Sequence, residues 1–211
     1  MVGTFSIIAY DKRENLVGIA MASGSKKIKD GTLYVSANVG VIVSQGYTNE
    51  ALVSKGFDLL RAEKTAREVM EYLLSIDPEK IYRQIGIIDR FGDIEVFTGK
   101  KSLKFYGHIV GDNFASLGSF ITSKRVIEGM AFMFKNSNLI FSDRLILALE
   151  YGHALGGNRR GSRSALLIVK KFSCRRNERD TVINIQVADQ EDPIFELKQA
   201  YCRIKMKSHK E

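Results

Sequence analysis

The chain of 211 residues holds two cysteines and three histidines. Cys174 and Cys202 stand too far apart to make a metal-ligand or redox pair at recognised spacing, so both are expected as reduced thiols. His108, His153 and His209 lack metal-binding spacing, and each is expected in a local polar role. No metal and no organic cofactor are therefore implied. The apolar runs are short and interrupted, and no basic region precedes a hydrophobic stretch at the N-terminus. That argues against a membrane span and a signal peptide, and makes a cytoplasmic location the expectation. No glycine-rich run ends in Gly-Lys-Ser or Gly-Lys-Thr, and Gly-x-Ser-x-Gly is missing, which removes the phosphate loop and the nucleophile elbow. With no repeat and no low-complexity linker, residues 1–211 read as one domain with a basic tail from about Arg203.

A hydrophobic fraction of 45% beside 27% charged residues is that of an ordinary globular protein, long enough to bury a sizeable core. The net charge is +8. Positive residues gather at Lys26-Lys27-Ile28-Lys29, between Lys170 and Arg179, and from Arg203 to Lys210. Such patches attract polyanions, but no aromatic residues alternate with them on a strand, so a solvated basic surface is preferred over a nucleic-acid site.

Thr4 to Tyr10 and Leu16 to Ser23 are apolar runs around a polar cluster, the pattern of a hairpin with two largely buried strands. A loop over Lys12 to Asn15 places Thr4 opposite Ser23. Thr32 to Gln45 follows, either as one continuous strand or, with a turn at Asn38-Val39-Gly40, as a second hairpin that brings Thr32 and Gln45 to one end. In the hairpin case Gly46 N–H is expected to point at Thr4 if the two hairpin ends abut. Asn49 caps a helix, Thr65 and Glu68 form a capping box for the next, and Asp77-Pro78 stops it. Strands are expected at Tyr82 to Asp89, Asp93 to Gly99, Phe105 to Val110 and Phe114 to Gly118. Helices then open at Thr122 or Ser123 and at Ser142, the second ending at Gly156-Gly157. Ser164 to Lys170 and Thr181 to Val187 are the last strands, and Pro193 begins the last helix. This order reads as an α+β layered sandwich.

Gly3-Thr4 admits two readings. It is the plain start of a strand, or, if the bond is cut, it exposes a hydroxyl beside its own α-amine, whose pKa of roughly 7.7–8.0 suits a general base. Gly156 to Gly161 carries two arginines and is either a helix terminus with solvated cations or a clamp for an anion through Arg160, expected near Thr4. Gln45 closes a buried strand and needs a partner. Ser164 opens an apolar strand.

From Thr4 to about Leu197 the chain resembles domain-of-unknown-function family 1028, grouped with the N-terminal nucleophile (Ntn) hydrolases. The matching segments are Thr4-Phe5-Ser6-Ile7, Gln45-Gly46-Tyr47-Thr48-Asn49, Lys55 to Leu60, Arg83-Gln84-Ile85-Gly86, Phe97-Thr98-Gly99, and Gly156 to Gly161 leading to Ser164-Ala165-Leu166-Leu167. The resemblance implies a four-layer αββα sandwich and hydrolysis of an amide in a small molecule or peptide. In that chemistry Thr4 is the nucleophile, Ser23 orients its amine, and Gly46 N–H with the Asn49 side chain holds the oxyanion, while Gln45, Arg160 and Ser164 meet the substrate. A homo-oligomer is the expected assembly. Departures are specific: Val2 and Gly3 intervene between Met1 and Thr4, so cleavage after Gly3 or a later start is needed; Gly24 stands where Lys or His is usual, Arg163 where Gln is common, and Ser36 where an acid is frequent. A catalytically silent ligand-binding or assembly-forming protein, and a basic nucleic-acid-associated one, stay open as alternatives.

Overall fold

The computed structural model describes residues 3–101, 105–171 and 181–208, of which the side chains of 207 and 208 are left aside. Met1, Val2, Cys174, His209 and most of the basic stretch from Lys170 to Arg179 lie outside the described residues. The strands are β1 (Thr4–Asp11), β2 (Leu16–Ser23), β3 (Leu33–Ser36), β4 (Gly40–Gly46), β5 (Arg83–Ile88), β6 (Ile94–Thr98), β7 (Gly107–Gly111), β8 (Phe114–Ser119), β9 (Ser164–Lys171) and β10 (Thr181–Val187). The helices are α1 (Glu50–Arg61), α2 (Ala66–Ile76), α3 (Arg125–Asn136), α4 (Phe141–Ala154) and α5 (Pro193–Ser208). Among the described residues this is a mixed α+β fold with two antiparallel sheets, ordered β10-β9-β2-β1-β8-β7 and β3-β4-β5-β6, and five helices. None of these helices is long and apolar enough to cross a membrane.

The first hairpin has the expected register, Thr4 opposite Ser23 and Asp11 opposite Leu16. Its turn is locally encoded: Asp11 Oδ1 accepts from Arg13 N at 2.9 Å and Glu14 N at 3.1 Å, and Asn15 takes a φ of 57°. The hairpin reading of Thr32 to Gln45 also holds, with Leu33 opposite Val43 and Ser36 opposite Gly40. Gly40 has a φ of 125°, and a Cβ there would fall 1.9 Å from Ile88 O, so only glycine fits the bend.

Alternation sorts the side chains of the six-stranded sheet. Phe5 and Ile7 join Ala20, Ala22, Leu167 and residues of α3, α4 and α5 in one buried cluster. Ile8, Ile19, Met21, Leu117 and Leu166 point the other way and meet Val41, Val43 and Ile88 of the second sheet. The far face of that sheet, through Ile42, Ile85 and Ile87, packs on α1 and α2. Each such buried side chain stabilises the fold by about 1.5–3 kcal/mol before entropy is counted.

The capping box of α2 is present, and Asp77 ends that helix. Asp89 serves more than its turn: Oδ1 accepts from Phe91 N and Asp93 N while Oδ2 accepts from Ala66 N at 2.8 Å, tying β5 to the start of α2. Two expected caps are corrected. Helix α3 begins at Arg125 without a side-chain cap, and Thr122 instead packs against the Gly156-Gly157 bend, its Oγ1 3.4 Å from Gly157 O. Ser142 is the second residue of α4, not its cap; its hydroxyl lies 2.7 Å from Tyr201 OH, joining α4 to α5.

Candidate active site

Four strands of the six-stranded sheet end in hydroxyls at the same level. Ser164 of β9 pairs with Ser23 of β2, Ser23 with Thr4 of β1, and Thr4 with Ser119 of β8. By alternation all four lie on the face that carries Leu166, Met21, Ile8 and Leu117, toward the second sheet. All four are buried, Thr4 at 8% exposure. Thr4 Oγ1 is 3.3 Å from Ser23 Oγ, which accepts from Ser25 N at 3.2 Å, and Ser164 Oγ donates to Ser25 O at 2.8 Å. Ser25 is thereby held from both sides at the start of the loop joining β2 to β3. Ser119 Oγ is buried without a hydrogen-bond partner, a condition that costs a hydroxyl about 1–3 kcal/mol.

The second sheet presents the end of β4 to this row. Gln45 finds partners on both sides: Ser6 Oγ donates to its Oε1 at 2.8 Å, and its Nε2 donates to Gln84 Oε1 at 2.5 Å. Gln84 continues the chain to Thr98 Oγ1 and Gly107 O, each at 2.8 Å, and Thr98 Oγ1 lies 2.7 Å from His108 Nδ1. Partial desolvation lowers the pKa of His108. Gly46 follows with a φ of 81°. The N–H of Ser44 is aimed at Thr32 O, 2.8 Å away, so the alternation of β4 aims the Gly46 N–H to that same side, beyond the start of β3.

A cavity of about 170 Å³ lies between these groups, lined by Thr4, Met21, Ser23, Ser25, Ile28, Lys29, Thr32, Ser44, Gln45, Gly46 and Thr48. Four of the seven expected site residues, Thr4, Ser23, Gln45 and Gly46, are thus brought together. Ser164 joins the hydroxyl row but does not line the cavity. Asn49 is also outside the lining, because its Oδ1 caps α1 by accepting from Leu52 N at 3.2 Å. Arg160 is exposed, with its guanidinium 5.5 Å from the Phe120 ring centre, and does not line the cavity either. No group of three or more His, Cys, Asp or Glu among the described residues is placed to hold a metal.

Three contributors were not visible in local sequence. Ser119 enters only through the pairing of β8 with β1. Lys29 reads as one more residue of a basic loop. Arg83 is buried and paired with Asp77, Nε to Oδ2 at 2.5 Å and Nη2 to Oδ1 at 3.1 Å; its Nη1 donates to Tyr47 O at 2.5 Å, fixing the segment beside Gly46.

Thr4 is preceded by a tightly held glycine. Gly3 O accepts from Gly24 N at 2.8 Å, and a Cβ on Gly3 would fall 2.6 Å from Phe120 O and 2.8 Å from Asn158 Oδ1. Comparison with known families bears on this junction. The model of a family described as "Family of unknown function (DUF1028)" matches residues 4–197, beginning at Thr4 itself. The chain belongs to the DUF1028 family. A similar solved structure is that of protein SPO2555 from Silicibacter pomeroyi, also assigned to DUF1028, at 26% identity and a TM-score of 0.85 over 95% of this chain and 85% of the other. No curated protein matches. In this DUF1028 chain the first position of the family match therefore lies, with Ser23, both in the hydroxyl row and on the cavity.

Proposed function

We propose that this DUF1028 protein is an Ntn-type amide hydrolase, with an αββα arrangement and Thr4 as its N-terminal nucleophile. The observation that carries the reading is the position of Thr4, at the head of its strand, 3.3 Å from Ser23 and lining a cavity with Gly46. The order of the three buried clusters supports the layering.

Exposure of the nucleophile requires breaking the Gly3-Thr4 bond. Thr4 Oγ1 attacks the Gly3 carbonyl carbon, whose oxygen already accepts from Gly24 N. The C–N bond breaks as the C–O bond forms, and the hydroxyl proton passes to the Thr4 nitrogen. Water then hydrolyses the ester, releasing residues 1–3 with a new carboxylate and leaving a free hydroxyl and amine on Thr4. In turnover that amine takes the hydroxyl proton as Oγ1 attacks the substrate carbonyl and gives it to the leaving amine; water resolves the acyl ester. Gly46 N–H stabilises the oxyanion. Odd residues of β1 bond toward β2, as Gly3 O does to Gly24 N, and even residues toward β8, as Tyr10 N does to Asn113 O at 2.8 Å. The Thr4 nitrogen accordingly faces Ser119, whose unpartnered hydroxyl can accept from the freed amine, with Ser23 on the opposite flank.

A second reading has one observation in its favour. With residue 3 still attached, Thr4 is 8% exposed and has no free amine, and the same cavity then only binds. Intact-mass measurement with an amide-hydrolysis assay decides between them. Active protein begins at Thr4 under the hydrolase reading, and activity from a chain that retains residues 1–3 removes it.

A further inference from the structure

Among the described residues, the cavity beside Thr4 is lined by one charged side chain and no counter-charge. Its lining supplies six hydroxyls, from Thr4, Ser23, Ser25, Thr32, Ser44 and Thr48, one amide, and a single charged side chain, Lys29. In the same loop Lys26 pairs with Asp189 at 3.3 Å and Lys27 with Asp30 at 3.0 Å, whereas Lys29 has no ion-pair partner among the described residues. The nearby acids are placed elsewhere: Asp30 is engaged by Lys27, Glu50 lies over Gly31, and neither lines the cavity. Lys29 is an exposed residue whose backbone is held in place. Thr32 Oγ1 donates to Lys29 O at 2.7 Å, and the preceding Ile28 is buried in the cluster between the sheets, with its carbonyl accepting from Gln186 Nε2 at 3.2 Å.

We propose that this cavity takes a small amide bearing a carboxylate, with Lys29 as the group that recognises the carboxylate; the identification of the amide as the reacting group rests on the hydrolase reading, the charge preference does not. One ammonium matches one carboxylate, and a Lys on a flexible stem meets it as a point charge. A doubly charged phosphate would leave one charge unpaired, and Glu50 in the first turn of α1 opposes an anion at that helix terminus. Size sets the rest of the class. A cavity of about 150 Å³ holds a benzene-sized molecule, so the space of about 170 Å³ here accommodates a short N-acyl amino acid. The anion-binding role expected of Arg160 falls to Lys29 instead.

The test uses the full chain carrying Thr4→Ala, which can neither be cut nor turn over, titrated calorimetrically with N-acetylglycine and with its neutral counterpart N-acetylglycinamide. The acid is expected to bind more tightly than the amide by roughly fivefold or more, the upper range for a partly exposed ion pair. Lys29→Gln is expected to abolish that preference with an unchanged melting temperature, and Lys29→Arg to restore much of it. Equal binding of the two probes, binding of neither at millimolar concentration, or a preference that survives Lys29→Gln overturns the proposal. The hydrolase reading fails separately, when wild-type protein keeps residues 1–3 or turns over no amide while the charge preference persists.

Discussion

Thr4 is flanked in the sheet by Ser23 and Ser119, so removing its hydroxyl takes away one modest contact and, under the hydrolase reading, the nucleophile. Thr4→Ala is expected to fold with a loss of about 1 kcal/mol or less and to be inert, whereas Thr4→Ser keeps part of the activity; melting temperature and turnover measured together check this. Under the hydrolase reading the base is an α-amine that must be neutral, and kcat/KM is expected to rise with pH through roughly 7.7–8.0. A hydroxyl that accepts from the ammonium raises its pKa, so Ser119→Ala is expected to move this limb to lower pH. In the uncut chain the same variant loses no hydrogen bond, since Ser119 Oγ has no partner, and its stability should be equal or slightly higher. A limb that stays in place with a fallen melting temperature would assign Ser119 to packing alone. Gly3→Ala meets backbone at 2.6 Å and is expected to cost about 1–3 kcal/mol, as overpacking does, with N-terminal processing slowed in the intact-mass record.

At the scale of elements, the strand end that carries Gly46 is held by an ion pair. Arg83 and Asp77 are each 1% exposed, and Arg83 also reaches Glu79 at 3.0 Å and Tyr47 O. Arg83→Met strands the Asp77 carboxylate in the interior and is expected to cost about 3–5 kcal/mol; Arg83→Met with Asp77→Asn should recover part of it, read from denaturant midpoints. Helix α2 has a pH-sensitive start. Glu68 is held at about 2, below its ordinary 4.5, first by the backbone N–H of Thr65, then by Lys64 and the Thr65 hydroxyl. A depressed carboxyl contributes stability above its unfolded pKa and loses it as pH falls through the folded one. The capping box is therefore expected to weaken between pH 4.5 and about 2, and Glu68→Gln to remove that dependence from the acid-unfolding curve. Thr65→Ala should cost about 1 kcal/mol at neutral pH.

At the scale of the molecule, the two sheets share one buried cluster and each shares another with helices. Thermal unfolding is accordingly expected as one transition, with the same midpoint by far-ultraviolet circular dichroism and by tyrosine fluorescence. Two separated midpoints would divide the chain into more than one unit. The net charge of +8 predicts weak retention on polyanions that salt releases and Thr4→Ala leaves unaltered.

The amino-acid sequence by itself determined the features that depend on neighbours along the chain. Asp11 and Asn15 set the first turn, and with it the pairing of Thr4 with Ser23; Gly40 set the second; Asn49 and the Thr65 and Glu68 pair set two helix starts. Each of these is a backbone angle or a hydrogen bond spanning a few residues, so local chemistry suffices. The tertiary structure alone decided which strands lie side by side. That β8 and β9 flank the first hairpin, completing the row from Ser164 to Ser119, follows from burying apolar faces contributed by distant parts of the chain. It also decided the membership of the cavity. Arg160 was left on the surface over Phe120, and Lys29, one of several basic residues in sequence, was the one set beside the hydroxyls, with no counter-ion among the described residues. Charge and residue type are written in the chain, but which of several exposed cations borders the hydroxyls is settled only when the loop after β2 and the end of β4 are brought together by the packing of the two sheets.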